Sequence, residues 1–259
     1  MAEHSRREVL AIWYAEQAGS RSRWFHRYQV YGEPGGNQSL DYFFWAITED
    51  SSITVVDTGI SPEAAAQRGI AVRADPREDL RRVGLDPDAV TTVVLTHYHY
   101  DHIGSIGLFP DAEIVLDEAE HRFWTGEGRR RTLFSASTDI RALDEIVRAN
   151  DDHRVRLMGV EGTVSAGIRT TRVPGHTPGQ SIVTVDTDAG AVVLASDAAH
   201  LYEELERDRP FAIFNDLMGV YTGYDRLRAL AGLDDHIVVP GHDPEVMRRF
   251  EPLSGDARD

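Results

Sequence analysis

Cysteine and lysine are both absent from this chain of 259 residues. Without cysteine, the chain has no disulfides, no thiolate metal ligands and no cysteine nucleophile. Without lysine, all 27 basic residues are arginines; with 43 acidic residues, the formal net charge is −16. A strongly acidic chain repels phosphate backbones, and the arginine run GRRR at 128–131 is too short for a binding stripe. We therefore expect no nucleic-acid partner.

Long hydrophobic runs are also missing. No segment reaches the roughly 18 apolar residues of a membrane span. The N-terminal stretch MAEHSRREVLAIWYAEQ carries charges throughout and lacks the apolar run of a signal peptide. Hydrophobic residues make up 41% of the chain and charged residues 27%, which is typical of a globular protein. These features predict a cytoplasmic protein with no membrane partner.

Strand-like segments occur in both halves of the chain, and helical segments accompany them. Alternating or β-branched apolar runs predict strands at 41–48, 51–59, 89–96, 112–117, 153–158, 167–173, 180–187, 190–197 and 235–243. Capping signals and helical periodicity predict helices within 61–69, 75–84, 137–150 and 216–232.

The length and order of these segments predict a single domain over 1–259. The fold class is α+β, and the layout suits two sheets packed face to face with helices outside. Residues 1–40 are predicted to be an irregular N-terminal extension, and 250–259 a frayed tail. The segments SSITVVDTG at 51–59 and AGAVVLASD at 189–197 are alike, since each is an apolar strand that ends on an aspartate. This similarity is a hint of duplication.

A dense group of metal-ligand residues follows the strand predicted at 89–96. Residues 97–102 read HYHYDH and contain His97, His99, Asp101 and His102. Imidazole nitrogen and carboxylate oxygen suit zinc, and also iron, manganese or cobalt. On a strand, His97 and His99 would point to the same side because side chains alternate. The motif alone cannot complete two metal sites, so we expect further ligands from elsewhere.

Three more candidate ligands share one setting. His176 in VPGHTPG, Asp197 in VVLASDAA and His242 in IVVPGHD each follow an apolar strand. Functional groups in α/β proteins collect where loops leave the strand ends. With the first four residues, they make seven ligands, enough for two metals that share one carboxylate.

Two further polar residues could serve the same site. His200 lies three residues after Asp197, so its side chain could face the metal pocket or the solvent. Asp57 ends a strand in the same way as Asp197, and we expect it to hydrogen-bond a ligand histidine and fix its tautomer.

The sequence resembles the metallo-β-lactamase superfamily over about 40–245, and within it the N-acyl homoserine lactonases. The matching segments are VVDTG (55–59), THYHYDH (96–102), PGHTPG (174–179), SD (196–197) and PGH (240–242). The resemblance implies an αββα sandwich with the metals at one sheet edge. It implies a small lactone as substrate, and a homodimer as a possible assembly.

The resemblance also implies a role for each ligand. One metal would be held by His97, His99 and His176, the other by Asp101, His102 and His242, and Asp197 would bridge them. The two ions, zinc in first place, would share a hydroxide that attacks the ester carbonyl. Asp101 would act as a catalytic residue by passing the proton of the hydroxide to the leaving oxygen.

One position departs from the lactonase pattern. The lactonases have a tyrosine three residues after the bridging aspartate, and its hydroxyl helps to hold the substrate carbonyl; this chain has His200 there. His200 is therefore a candidate catalytic residue. Tyr202 and Tyr221 are candidate substrate-binding residues that could replace the missing tyrosine.

Other functions fit the same residues. A thioesterase of the glyoxalase II type, or another ester or cyclic amide hydrolase of this fold, has a similar ligand set. A β-lactamase is disfavoured because those enzymes generally lack a bridging aspartate here, and some use a cysteine, which this chain lacks. A non-catalytic metal-binding protein would be expected to lose ligands, and all seven are present.

Overall fold

The structure of the chain is a computed structural model, which describes residues 7–49 and 52–250. In these ranges the strands are β1 (Arg7–Ser20), β2 (Asn37–Glu49), β3 (Ser52–Val56), β4 (Ala71–Val72), β5 (Val90–Val94), β6 (Glu113–Asp117), β7 (Val155–Met158), β8 (Glu161–Ser165), β9 (Ile168–Arg172), β10 (Ser181–Thr187), β11 (Gly190–Ser196) and β12 (His236–Pro240).

The helices lie mostly between strands. The α-helices are α1 (Arg21–Trp24), α2 (Pro62–Arg68), α3 (Pro76–Arg82), α4 (Tyr100–Ile103), α5 (Glu118–Thr125), α6 (Glu127–Arg130), α7 (Thr132–Ser135), α8 (Ile140–Asp151), α9 (Tyr202–Arg207), α10 (Leu217–Ala231) and α11 (Val246–Arg249). Short 3-10 helices cover Tyr28–Tyr31, Pro87–Ala89 and Ile106–Leu108.

Within the described residues, the strands form two mixed sheets. The first has seven strands in the order β4-β1-β2-β3-β5-β6-β7, and the second has five in the order β12-β11-β10-β9-β8. In the first sheet, β3, β5, β6 and β7 run parallel to one another, whereas the β4–β1, β1–β2 and β2–β3 pairs are antiparallel. In the second sheet, only the β11–β12 pair is parallel.

Side-chain alternation along β2 separates two layers of the core. Phe43 and Trp45 face a cluster that includes Val183 and Leu194 of the second sheet, so this layer lies between the sheets. The intervening Phe44 points the other way, into a cluster that includes residues of α2, α3, α5 and α8. On the far side of the second sheet, α10 packs against β11 in a third cluster. The predicted αββα sandwich is confirmed.

Local capping signals place the helices where the sequence predicts them. Ser61 caps α2 by accepting a hydrogen bond from Ala64 N at 3.2 Å, and Gly69 ends this helix in the left-handed conformation at φ 65°. Asp139 caps α8 in the same way.

Among the helices of the described residues, none has the length and the apolar character of a membrane span.

The prediction of an irregular segment at 1–40 is wrong for most of its described residues. Strand β1 is 14 residues long and pairs with β2 along its length, and β2 already begins at Asn37. A register shift between Trp13 and Ala15 interrupts the pairing, so the alternation of apolar side chains breaks in mid-strand. The short strands β4 and β8 are also absent from the predictions. Residues 251–259 of the predicted tail lie outside the described residues.

Candidate metal centre

The seven predicted ligands converge at one edge of the two sheets, and all are buried. The first sheet supplies four of them through the chain that follows β5. The second sheet supplies the other three, each within four residues of the end of its strand. These ligands are His176 after β9, Asp197 after β11 and His242 after β12.

The chain leaves β5 earlier than the sequence predicts. The strand ends at Val94 rather than at residue 96, so His97 and His99 lie in a loop. Both side chains nevertheless reach the same group of ligands, as strand alternation would have required. Asp101 and His102 lie on α4, the short helix that follows the loop, and its turn aims them at the second group.

Three imidazoles form the first group. His176 Nε2 lies 3.2 Å from His97 Nε2 and 2.8 Å from His99 Nδ1. Burial lowers the pKa of each of these three histidines, so the neutral rings carry lone pairs where the nitrogens meet. Such convergence of ring nitrogens is the arrangement that a metal ion requires.

Asp101, His102 and His242 form the second group. Asp101 Oδ2 lies 3.8 Å from both His102 Nε2 and His242 Nε2. His102 Nε2 is buried and has no hydrogen-bond partner within the ranges that the structure describes. Asp197 Oδ1 is 3.2 Å from this nitrogen but is not aligned with it for a hydrogen bond. A buried polar atom without a partner is costly unless a ligand satisfies it.

Asp197 lies between the two groups, and its two oxygens face different ones. Oδ2 lies 3.2 Å from His176 Nε2 and 3.6 Å from His97 Nε2. Oδ1 lies 3.0 Å from His242 Nε2 and 3.2 Å from His102 Nε2. Burial acts to raise the pKa of Asp197, but the surrounding histidines lower it well below its usual value. The carboxylate is therefore charged and can offer one oxygen to each group.

Hydrogen bonds donated by the Nδ1 atoms fix three of the ligand rings. His102 Nδ1 donates to Asp57 Oδ2 at 2.8 Å, which is the contact predicted for Asp57. His176 Nδ1 donates to the Ile213 carbonyl at 3.0 Å, and His242 Nδ1 to the Asp41 carbonyl at 2.9 Å. Since Nδ1 carries the proton in each ring, Nε2 is left as the atom that faces the centre.

A hydroxyl between the sheets joins two strained strand ends. Thr96 Oγ1 donates to Asp57 Oδ2 at 2.9 Å and lies 2.8 Å from Ser196 Oγ. Asp57 and Ser196 both adopt positive φ angles, of 62° and 47°. Left-handed backbone at residues other than glycine costs energy and is common at functional sites. The alike segments at 51–59 and 189–197 thus share a left-handed residue beside the site.

The donor set fits two divalent metal ions. The donor atoms of the first group and Asp197 all lie within 4.8 Å of one another, and so do those of the second group. Five imidazole nitrogens and two carboxylates suit zinc, iron, manganese or cobalt. The unpartnered His102 Nε2 supports the same conclusion.

Comparison with known proteins places this geometry in a family. The family model described as the metallo-β-lactamase superfamily matches residues 34–242. The chain belongs to this superfamily. The predicted resemblance is confirmed, and the chain is a metal-dependent hydrolase.

Relatives within the superfamily cover most of the chain. An N-acyl homoserine lactonase of a Bacillus species is 26% identical over 232 residues, covering 83% of this chain and 86% of the relative. The crystal structure of a quorum-quenching N-acyl homoserine lactone lactonase superposes with a TM-score of 0.76 at 20% identity, covering 96% of this chain and 97% of the other. AidC, a dizinc quorum-quenching lactonase in complex with a product, superposes with a TM-score of 0.70 at 18% identity, covering 92% and 87%.

His200, at the position where this chain departs from the lactonase pattern, faces the metal centre and not the solvent. It is buried, with Nε2 3.1 Å from Asp197 Oδ2 and Nδ1 3.3 Å from Glu204 Oε1. Its ring stacks on Phe211 with 3.7 Å between ring centroids. Burial acts to lower the pKa of His200, but Asp197 and Glu204 raise it to about 10.

The structure does not bring Tyr202 or Tyr221 to the centre. The Tyr202 ring lies 3.7 Å from the Arg249 guanidinium, and its side chain lines a separate groove beside Asp243. Tyr221 lies on α10 and packs against Tyr224, with 6.3 Å between ring centroids. Neither side chain lines the pocket beside the His97, His99 and His176 ligands, and the substrate-binding role of the two tyrosines stays a prediction.

A pocket of about 330 Å³ opens beside the first group of ligands. His99 and His176 form part of its wall. The Trp124 ring packs edge-on against the His99 ring, with 5.7 Å between the ring centroids. Most of the remaining wall is apolar, from Phe123, Leu133, Phe134, Pro178, Ala212, Ile213 and Phe214.

Several residues at this site escape prediction from the sequence. Glu120, Trp124 and Phe211 are all buried next to the ligands or His200, yet none belongs to a motif that the sequence shows. The segment 118–150 looks polar and helical, which hides its role. The one available signal is the four-residue spacing of Glu120 and Trp124, which puts both on one face of a helix.

Proposed function

We propose that this hydrolase opens the ring of a small lactone, with N-acyl homoserine lactone as the first candidate. The observation that carries the proposal is the convergence of seven buried ligand side chains beside an apolar pocket. Six of them form two groups, and the Asp197 carboxylate lies between these groups. Relatives named as lactonases support the choice of substrate.

Each group of ligands would hold one divalent metal ion. His97, His99 and His176 would bind the first, and Asp101, His102 and His242 the second; Asp197 would bridge them, with Oδ2 toward the first and Oδ1 toward the second. When bound, the two ions lower the pKa of water from 15.7 to about 7, which supplies a hydroxide nucleophile, and they polarise the ester carbonyl. The dizinc centre of AidC makes zinc the first candidate, with iron, manganese and cobalt as alternatives.

Asp101 would move the proton of the reaction. Its carboxylate is buried, and Oδ2 is 3.8 Å from two imidazole nitrogens of the second group. Ring opening requires a base when water attacks and an acid when the alkoxide leaves. A carboxylate at this place can accept the proton on Oδ2 and return it to the leaving oxygen.

His200 would hold the substrate carbonyl in place of the lactonase tyrosine. Glu204 faces its Nδ1, so Nε2 is the nitrogen that points toward Asp197 and the metal centre. An Nε2–H at this position can donate a hydrogen bond to the carbonyl oxygen as negative charge develops on it. Stacking on Phe211 keeps the ring in this orientation.

The apolar pocket would take the acyl chain of the substrate. Its volume lies near the lower end of the range for ligand pockets, which is about 300–1,000 Å³. Trp124 and the adjacent Phe123 and Phe134 form a wall of aromatic rings in edge contact. Such a wall favours an extended hydrocarbon chain over a charged group.

The central experiment combines metal analysis with a substrate panel. We expect about two tightly bound metal ions per chain, loss of activity when a chelator removes them, and recovery when zinc is returned. A proton-release assay should show turnover of N-acyl homoserine lactones above that of plain γ- and δ-lactones, a thioester and a cephalosporin. Fewer than one tightly bound ion per chain would contradict the dinuclear centre.

The same panel separates the alternatives. Turnover of thioesters alone would replace the lactonase proposal with a thioesterase of the glyoxalase II type. Two bound metals without turnover of any panel member would favour a non-catalytic metal-binding protein. The possible homodimer stays a prediction.

The roles of His200 and the two tyrosines predict different outcomes for three variants. His200→Ala should lower kcat for a lactone about 10²-fold, because it removes the proposed donor to the carbonyl oxygen. Tyr202→Phe and Tyr221→Phe should leave kcat/KM within about a factor of two, since neither side chain lines the pocket. Steady-state kinetics of the three purified variants checks this, and a strong effect of Tyr221→Phe together with a weak effect of His200→Ala would reverse the assignment.

A further inference from the structure

We propose that Glu120 is a positioning residue for the His97/His99/His176 group. The inference rests on the proposed function in one respect, namely that this group holds a metal ion. Glu120 does not touch the three histidines. It binds the chain next to them from the third position of α5.

The two oxygens of Glu120 reach two different ligand loops. Oε1 accepts a hydrogen bond from Tyr98 N at 3.0 Å, and Tyr98 lies between His97 and His99. Oε2 accepts one from Gly179 N at 2.8 Å, three residues after His176. One carboxylate therefore fixes the distance between two loops that are separated by about 80 residues of chain.

The contact with the second loop is close enough to require a glycine. A Cβ atom on Gly179 would lie 2.3 Å from Glu120 N, which is far inside van der Waals contact. Helix α5 and the His176 loop thus meet backbone to backbone. Any displacement of α5 would be transmitted directly to the loop that carries His176.

Glu120 also reaches the pocket wall. Trp124 Nε1 donates to Glu120 Oε1 at 2.7 Å, and the Trp124 ring packs against His99. The same carboxylate therefore orients the two loops and the aromatic residue that packs against His99 in the pocket wall.

The surroundings of Glu120 do not favour a purely stabilising role for this side chain. Its side chain is 1% exposed, and its hydrogen-bond donors within the described ranges are two backbone amides and the Trp124 indole, with no arginine or histidine among them. Burial raises the pKa of Glu120 to about 7, although the nearby Thr177 hydroxyl and the hydrogen bonds from the backbone and Trp124 donors oppose the shift. A buried carboxylate without a cation is costly, which favours a role in placing groups over a role in holding the fold together.

The second group of ligands is held by other residues. Asp57 fixes His102, and the Asp41 carbonyl fixes His242. None of the hydrogen bonds of Glu120 reaches these residues. A change at Glu120 should therefore act on one metal site and spare the other, which distinguishes positioning from general destabilisation.

Glu120→Gln is the variant that tests the inference. A glutamine has one acceptor oxygen and one NH₂ group, which is a donor only. In one orientation the NH₂ group would face the N–H of Gly179, and in the other it would face the N–H groups of Tyr98 and Trp124. At least one of the three hydrogen bonds is therefore lost. Glu118→Gln is the matched control, because Glu118 lies on the same helix and is exposed. We expect both variants to fold, as judged by the thermal unfolding midpoint of the metal-free proteins.

Metal affinity is the decisive readout. By chelator competition, Glu120→Gln should bind one ion as the wild type does and the other about 10- to 100-fold more weakly, whereas Glu118→Gln should match the wild type at both sites. Repeating Glu120→Gln in the His102→Ala background, where only the first group is intact, identifies the weakened site. Unchanged affinity at both sites, or equal weakening at both, would overturn the inference.

Two additional measurements make the test independent of the folding of Glu120→Gln and of the proposed function. If Glu120→Gln does not fold, Trp124→Phe serves instead, because it removes one of the three hydrogen bonds of Glu120. We expect it to weaken metal binding at the same single site by a smaller factor. Unchanged metal affinity, or weaker affinity at both sites, would count against the inference. The wild-type metal content and lactone turnover test the proposed function separately, since they do not depend on Glu120.

Discussion

Replacing Asp197 with asparagine is expected to lower kcat/KM for a lactone about 10³-fold or more, with the fold intact. The two carboxylate oxygens face different groups of ligands, at 3.0 to 3.6 Å from four imidazole nitrogens. Asparagine has the same shape, but it offers one neutral oxygen, so it can serve one group only. It also removes the negative charge that would offset two divalent ions.

Steady-state kinetics and metal analysis of Asp197→Asn check this expectation. Asp188→Asn is the matched control, because Asp188 is an exposed aspartate in the turn between β10 and β11. We expect the control to keep wild-type kinetics. Asp197→Asn activity within tenfold of the wild type, with two ions still bound, would show that the carboxylate does not bridge the metals.

Replacing His102 with alanine is expected to abolish lactone hydrolysis, by about 10³-fold or more, while the chain stays folded. The substitution removes a donor from the second group, so we expect the tightly bound metal content to fall from about two ions to about one. Folding should survive because Asp57, the partner of His102, keeps its hydrogen bonds to Thr96 N and Thr96 Oγ1. Elemental analysis, circular dichroism and the lactone assay measure the three quantities.

His153→Ala is the control for His102→Ala, since His153 is exposed and far along the chain from any ligand. This control should behave as the wild type in all three measurements. Near-normal rates in His102→Ala would count against the metal assignment. Loss of circular dichroism signal would instead indicate that His102 is needed for folding.

The ligands could be predicted from the sequence because their chemistry is local. His97, His99, Asp101 and His102 stand together in six residues, and His176, Asp197 and His242 each follow an apolar strand. The contact of Asp57 with His102 was also accessible, because Asp57 ends a strand as Asp197 does. In each case, a residue type suited to metals coincides with a recognisable turn.

The supporting residues could not be predicted, because their roles depend on contacts between distant segments. Glu120 looks like one more acidic residue of a polar helix until Tyr98 and Gly179 are found against it. Strand β1 escapes prediction for a related reason: the shift between Trp13 and Ala15 breaks the alternation by which strands are recognised. The contacts of Tyr202 and Tyr221 likewise depend on how α9 and α10 pack, which the sequence does not determine.

The division of the ligands between the two sheets has a consequence for the whole molecule. The chain that follows β5 carries four ligands from the first sheet, and the strands of the second sheet deliver three. Ions held by both sets would cross-link the two halves of the sandwich, in a chain that has no cysteine to do so covalently. Ligands that bind only the folded state stabilise it by mass action. The temperature at which this protein unfolds would therefore rise with the concentration of metal ions around it.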